Sequence, residues 1–448
     1  MLLTAIILAS VFALISSIQW ARRFNFLPFS PAGVYAIIWG LIWTVHLLGV
    51  LDYLPLTDQA VTYSIISLLG IFTGEQIGLM WNKPRWRGEA INIKRLCSLI
   101  ILNNVLILII AFITFVSVYL LFGAPWQFGV GHSIKMERIA SGTSMFGGSP
   151  YFGILEYITL LRGLIYFSVA LAIPLFVIKP KLSIFCFISA FVAGTINDLC
   201  WGSRTLILDQ GFFLITAFIL LWNSIKREKI EFIDLKKTLI ILSMIIALSG
   251  LLFVGQIITT STRMANYKQI GGMTLPYGIA QVIDYYTSPI VSFDLTLDDN
   301  PTTYGFMSFG GILDWMYMLR IFRVDNFYIY GIMETWEMQN PMHSYSGDRG
   351  NVYSCLRYFY SDFGFLGLFI FPFFTGFLSA VFAERSIPKS IDGFFNTCWL
   401  SYCYYIVFRS PQGFPMRNGY IILSIILIML LKHYVKVRLK HSQIRTVE

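Results

Sequence analysis

Long apolar stretches are the feature that most constrains the fold of this chain. A helix that crosses the roughly 30 Å hydrocarbon layer of a bilayer needs about 20 predominantly apolar residues. Because lipid offers no partners to backbone N–H and C=O groups, such stretches form helices that satisfy their own hydrogen bonds. The 448-residue chain contains eleven of them, at approximately 2–20, 33–51, 61–81, 97–122, 151–178, 183–200, 205–222, 239–258, 360–383, 392–409 and 419–435. The sequence therefore predicts an all-α polytopic membrane protein with about eleven transmembrane helices.

The composition excludes a soluble protein. Charged residues make up 13% of the chain and apolar residues 56%, whereas soluble domains carry roughly 25% charged residues. The net charge of +9 is explained by cytoplasmic loops that face anionic lipid, so nucleic-acid binding is set aside. The six cysteines form no CxxC pair, which predicts neither a disulfide framework nor a zinc site.

Lysine and arginine are distributed unevenly between the two sets of loops. With the N-terminus outside, 21 of the 33 Lys and Arg residues fall inside and 11 outside, and Arg162 lies within a span. Six of the 11 belong to the long segment 259–359, which leaves five in the shorter outer loops. Since cytoplasmic loops are enriched in Lys and Arg, the distribution predicts an outer N-terminus and a cytoplasmic C-terminus. The first span lacks a basic leader and a cleavage site, so it is expected to be a retained helix.

The segment 259–359 is predicted to be one large outer loop. It is rich in Gly, Pro, Asn, Asp and Tyr, and it contains an amphipathic run at 311–323 that is typical of a helix lying on the membrane surface. Loops of this length are usually functional. We expect it to cap the helix bundle, so that 1–448 forms a single integral membrane domain.

Arginine dominates the cations of the predicted outer face. Nine of the eleven outer cations are arginines, and arginine is the residue best suited to bidentate recognition of phosphate and carboxylate. The alternative is that they are interfacial anchors for lipid headgroups. Two aspartates, Asp198 and Asp209, bracket Arg204 at the outer ends of the sixth and seventh spans. They either neutralise Arg204 and join two helices, or line a polar cavity there.

The predicted outer stretch 340–353, which precedes the ninth span, is the richest in candidate site residues. Glycines at 347 and 350 flank Asp348 and Arg349, so the backbone can turn sharply and bring the arginine close to a ligand. His343 is one of two histidines in the outer loops, and its position makes it a candidate base as well as a solvated loop residue.

Two short motifs stand out in the chain, Gly-Ser-Arg-Thr at 202–205 and Tyr-Ser-Asp-Phe-Gly-Phe-Leu-Gly at 360–367. With these motifs, its multispanning layout and the large outer loop late in the sequence, the chain resembles the bacterial O-antigen polymerase (Wzy) family of oligosaccharide repeat unit polymerases. The resemblance implies a GT-C-like polymerase/ligase architecture in the bacterial cytoplasmic (inner) membrane.

The resemblance also implies a reaction, and the residues singled out above suit its chemistry. A growing glycan would pass from undecaprenyl diphosphate to a new lipid-linked repeat unit outside the membrane, with a polysaccharide chain-length regulator as a partner protein. No cofactor and no metal are expected. The expected catalytic residues are His343, Asp348 and Asp362. The expected diphosphate-binding residues are Arg204, Arg263, Arg349, Arg357, Arg409 and Arg417.

Three other functions remain open at this stage. An O-antigen ligase would share the fold, and Met-His-Ser-Tyr at 342–345 only approximates the histidine element of that family. A flippase or another transporter of lipid-linked oligosaccharide is also polytopic, but it usually shows paired repeats and short outer loops. A metal-dependent transferase would need clustered carboxylates, and Asp52, Asp58 and Asp298 have no recognisable ligand spacing.

Overall fold

The computed structural model describes residues 1–24, 29–51, 53–81, 93–122, 162–201, 205–227, 277–297, 305, 307–312, 354–386 and 390–444. These residues form α-helices, turns and two short 3₁₀ turns, Ser410–Gln412 and Pro415–Arg417, and no β-strand. The α-helices among them are α1 (Leu2–Phe24), α2 (Pro31–Leu47), α3 (Asp58–Trp81), α4 (Ile93–Phe122), α5 (Arg162–Ile178), α6 (Pro180–Trp201), α7 (Thr205–Arg227), α8 (Tyr277–Asp294), α9 (Cys355–Glu384), α10 (Ile391–Arg409) and α11 (Gly419–Ile444).

Ten of the eleven predicted spans coincide with one of these helices, although α5 is described only from Arg162 onward. The predicted span 239–258 lies outside the described residues. By length and composition, six of the helices can cross a membrane, namely α1, α3, α4, α6, α9 and α11. The described part of the chain is thus that of an all-α membrane protein, and the count of eleven spans stays a prediction.

One helix was not predicted. Helix α8 (Tyr277–Asp294) lies within the predicted outer loop 259–359 and contains a proline at 289. The amphipathic run predicted at 311–323 falls outside the described residues after Ile312. The segment 259–359 therefore contains at least one regular helix.

Helices α1 and α4 show how the apolar residues are divided between lipid and protein. On α1, Leu3, Ile7 and Leu14 are exposed, whereas Ala5 and Ala9 are buried. On α4, Leu102, Phe112 and Leu120 are exposed while Asn104 and Thr114 are buried. Large aliphatic and aromatic side chains on the outside, with small and polar ones inside, are what a bilayer solvent favours. Each helix thus presents a face suited to lipid.

The described helices fall into two compact units, which are treated separately below. The first contains α1, α2, α3, α8, α9 and residues 403–418. The second contains α4, α5, α6, α7, residues 391–402 and α11. The expected single membrane domain over 1–448 stays a prediction.

The closest helix pair of the first unit is formed by α3 and α9. Gly70, Gly74 and Gly78 of α3 lie against the backbone of Phe369, Phe373 and Phe377 of α9. Both series advance by four residues per contact, so the two helices run parallel, as the predicted topology requires. Glycines spaced in this way let helix backbones approach closely in membranes.

Ion pairs connect helix ends that the predicted topology places on one side of the membrane. In the first unit, Arg23 Nη2 lies 2.8 Å from Glu384 Oε1, which joins the C-terminal ends of α1 and α9. In the second unit, Lys432 Nζ and Lys436 Nζ lie 3.1 and 2.8 Å from Asp392 Oδ1 at the start of α10. Both agree with the predicted alternation of the helices.

Candidate functional site

Helix α9 is interrupted near its predicted outer end. Gly364 has φ 59° and ψ −145°, which separates a short helical segment, 355–363, from the long one that follows. Such backbone angles are accessible to glycine at little cost. The short segment carries Arg357 and Asp362, and both side chains are buried, at 3% and 1% exposure. The break thus sets two ionisable residues inside the first unit.

Residues 410–418, Ser-Pro-Gln-Gly-Phe-Pro-Met-Arg-Asn, connect α10 to α11 and pack into the first unit. Ser410 through Pro415 are buried, and the Ser410–Gln412 turn contacts α8 and α9. Trp39 Nε1 donates to Ser410 Oγ at 3.3 Å. The Phe414 ring lies 4.9 Å from that of Phe359. Packed aromatic rings therefore support a proline-rich turn that has an arginine near each end.

Arg417 is held against α9 by two interactions with one tyrosine. Its Nη1 donates to Tyr358 Oη at 2.6 Å, and its Cζ lies 5.2 Å from the centre of the Tyr358 ring. A guanidinium over an aromatic face is stabilised by the ring quadrupole. At the other end of the turn, Arg409 Nη1 donates to Gln412 Oε1. We call Arg357, Tyr358, Arg409 and Arg417 the arginine site.

The arginine site is suited to binding an anion. A guanidinium always carries its charge and offers several donors in a planar fork. Arg357 lies on the short α9 segment, Arg417 lies in the 410–418 turn that packs against it, and Arg409 is the last residue of α10. Charge-assisted bonds from such groups to phosphate oxygens are short and strong. These three residues thus have the chemistry that recognition of phosphate or carboxylate requires.

Asp362 lies where it organises the backbone. Its Oδ1 accepts a hydrogen bond from Met307 N at 3.1 Å, and its Oδ2 accepts one from Ser308 N at 2.6 Å. Both carboxylate oxygens thus fix the 307–312 segment of the predicted outer loop to the short α9 segment. This arrangement gives Asp362 a positioning role in the first unit.

A second polar cluster joins α8 to the connection between α2 and α3. Tyr53 Oη donates to Asp284 Oδ1 at 2.8 Å and lies 2.6 Å from Thr287 Oγ1. Burial, together with the nearby Asp284 charge, raises the pKa of Tyr53 well above its usual value, so the hydroxyl remains a donor at physiological pH. Thr57 N donates to Asp294 Oδ2 at 2.7 Å. These contacts explain why α8 lies against α2 and α3.

The second unit contains its own buried charges. Asp198 and Asp209 are fully buried, and Arg162 is 6% exposed. Tyr166 Oη donates to Asp209 Oδ2 at 2.5 Å, and Asp198 Oδ2 accepts from Ile207 N at 2.9 Å. The charge of Arg162 acts on Asp198. Arg162 is therefore an electrostatic neighbour of Asp198. The separation of the two residues along the chain did not indicate this.

The predicted site residues divide into two groups. Arg357, Arg409, Arg417 and Asp362 lie in the first unit, on or beside the short α9 segment and the 410–418 turn. His343, Asp348, Arg204, Arg263 and Arg349 lie outside the described residues. Sequence reasoning missed Tyr358, Gln412 and Tyr53, which are ordinary in composition and gain their roles from neighbours distant in the chain. Within the described ranges no group of three metal-ligating side chains occurs, and all six cysteines are buried and free.

No protein family, characterised protein or solved structure matches the chain.

Proposed function

We propose that the chain is an O-antigen or polysaccharide repeat-unit polymerase at the outer face of the bacterial cytoplasmic membrane. It transfers a growing glycan from undecaprenyl diphosphate to a new lipid-linked repeat unit. The arginine site carries the proposal, because three arginines of the first unit lie on two adjoining pieces of backbone at a predicted outer end. A transferase that releases a lipid diphosphate needs cations where the charge of the leaving group develops.

In the proposed reaction, a hydroxyl oxygen of the incoming repeat unit attacks the anomeric carbon of the donor glycan. The bond from that carbon to the diphosphate oxygen breaks, and its electron pair leaves with undecaprenyl diphosphate. Arg357, Arg409 and Arg417 offset the charge of this leaving group, together with Arg204, Arg263 and Arg349 of the sequence-based proposal. The hydroxyl proton passes to a base, for which we propose His343 or Asp348. Asp362 holds the outer-loop backbone in place.

The proposed orientation has the N-terminus outside, the C-terminus in the cytoplasm, and eleven spans in a GT-C-like architecture. We expect a reporter fused after Lys440 to behave as cytoplasmic and one inserted at Asp298 to behave as external, because Lys and Arg are enriched in the segments proposed to be inside. Reporter activity and protease protection in intact cells and inverted vesicles measure this. A 259–359 segment protected from external protease would contradict the proposed reaction, since lipid-linked polymer is assembled outside.

The proposed activity is tested with purified full-length protein and lipid-linked repeat units. We expect a ladder of polymer that persists in EDTA, because guanidinium groups rather than a divalent ion are proposed to stabilise the leaving group. Gel analysis of the glycan measures the ladder. Activity that EDTA abolishes and Mg²⁺ or Mn²⁺ restores would contradict the metal-independent mechanism. Transfer of glycan to lipid A core without a ladder would indicate a ligase, and movement of substrate across the membrane without transfer would indicate a flippase.

A further inference from the structure

Two buried hydrogen-bond donors lie beside the arginine site without a partner in the described part of the chain. They are Ser354 Oγ and Gln412 Nε2. Ser354 is fully buried and Gln412 is 6% exposed. Buried polar groups in proteins are nearly always hydrogen-bonded to protein, water or ligand, so two such donors on segments of the first unit that adjoin each other indicate a group that accepts from them.

The orientation of the Gln412 amide is fixed by its neighbour. Arg409 Nη1 donates to Gln412 Oε1, and a guanidinium has donors and no acceptor. The oxygen of the amide must therefore face Arg409, and the NH₂ group is directed to another side. Gln412 thus offers two N–H donors from a turn that packs against α9.

Ser354 immediately precedes the short helical segment of α9. Arg357 N donates to Ser354 O at 3.2 Å, so Ser354 occupies the N-cap position of a nine-residue segment, 355–363, that ends at the Gly364 break. The first N–H groups of a helix lack intrahelical partners, and the helix dipole favours negative charge there. Arg357, in the first turn, adds a full positive charge.

The two donors belong to adjoining structure. The Ser410–Gln412 turn contacts α9, Phe414 packs on Phe359 at 4.9 Å, and Arg417 binds Tyr358. The carboxylate of the short segment, Asp362, has both oxygens engaged by backbone N–H groups. Apart from Asp362, the ionisable side chains of the short segment and the turn named here are arginines, which suits an anionic ligand.

We infer that Ser354 and Gln412 are further ligand-binding residues, and that they bind the oxygens of a diphosphate alongside Arg357 and Arg409. The inference rests on the proposed function in naming the diphosphate, and it adds two neutral donors, Ser354 and Gln412, to the arginines of the site. The diphosphate is either that of a prenyl lipid or free in solution. Both present several acceptor oxygens, which a cluster of donors at a helix N-terminus binds well.

The test measures binding of farnesyl diphosphate to the full chain in lipid nanodiscs, with inorganic diphosphate as competitor. We expect Gln412→Glu to weaken binding about tenfold or more, because it keeps the acceptor for Arg409 but replaces two donors by negative charge. Gln412→Leu and Ser354→Ala, which add no charge, are expected to weaken it several-fold. The matched control is Gln59→Glu, which adds the same charge at an exposed residue of α3 and should bind like the wild type.

Each outcome has a defined meaning. Competition by inorganic diphosphate supports a site that recognises the diphosphate alone, and its failure to compete supports a lipid-borne diphosphate. Wild-type affinity in Gln412→Glu, or in both uncharged variants if Gln412→Glu does not fold, overturns the inference. Binding that depends on Gln412 in a protein that makes no polymer overturns the proposed polymerase and leaves the binding residues in place. Polymer synthesis in which Gln412 and Ser354 are dispensable for binding overturns only the present inference.

Discussion

Replacing Arg417 by lysine is expected to remove most polymer synthesis while the protein stays in the membrane at its normal level. The guanidinium donates to Tyr358 Oη at 2.6 Å and lies over the ring at 5.2 Å, and we propose that it also binds the diphosphate. Lysine keeps the charge but lacks the planar fork. Loss of a charge-assisted hydrogen bond corresponds to about a tenfold to hundredfold decrease in the rate of polymer synthesis. Gel analysis of the polymer ladder measures this rate, and quantification of the membrane fraction measures the protein level.

Two further variants make this result specific. Arg23→Lys changes an arginine at the opposite, predicted inner end of the first unit, where Arg23 pairs with Glu384, and it should leave the ladder unchanged. Tyr358→Phe keeps the ring and removes the acceptor, so we expect an intermediate loss. Full-length polymer from Arg417→Lys would show that Arg417 is an anchor for lipid headgroups and that the diphosphate binds elsewhere.

The helices were predictable from sequence because a long apolar stretch in a membrane can adopt few structures other than a helix. Several of the helix ends were not predictable. Helix α9 begins at Cys355, five residues before the predicted span. The prediction began later because Arg357 interrupts the apolar run, and hydropathy gives no reason to bury an arginine. Helix α2 ends at Leu47, shortly before Gly49 with its φ of 58°, although apolar residues continue. Helix α8 carries Asp284 and Pro289 and has no apolar run of spanning length.

The candidate site was predictable in residue type and unpredictable in pairing. An excess of arginine in the predicted outer loops favoured anion binding, and Arg357, Arg409 and Arg417 all belong to the first unit. Nothing in the sequence indicated that Arg417 would bind Tyr358, because 59 residues separate them along the chain. Asp362 was expected to be a catalytic residue alongside His343 and Asp348, and that role stays a prediction. Its two backbone contacts could not be predicted, because they depend on a loop whose position the sequence does not indicate.

The contact between α3 and α9 depends on glycine residues, and a hydropathy pattern does not predict this dependence. A Cβ on Gly74 would lie 1.9 Å from Phe373 O, and one on Gly376 would lie 2.1 Å from Ile71 O. These neighbours are backbone atoms, so they cannot turn aside as a flexible side chain can. Each glycine costs about 1 kcal/mol of helix propensity relative to alanine, and close packing of the two backbones offsets that cost. The pair holds α9, and with it Arg357 and Tyr358, in the first unit.

We therefore expect Gly74→Ala to destabilise the protein by about 1–3 kcal/mol, the usual range for overpacking, and Gly74→Leu to prevent accumulation of folded protein. The larger side chain forces α3 and α9 apart along their whole contact, since Gly70 and Gly78 meet the same partner. Thermal unfolding in detergent and the membrane level of the protein measure both effects. Gly40→Ala is the matched control, because its Cβ would meet a side-chain atom, Ala9 Cβ, at 3.3 Å, and a small shift accommodates it. A Gly74→Ala protein that melts like the wild type would mean that α3 and α9 are not packed backbone to backbone, and the position of the arginine site on α9 would then need another support.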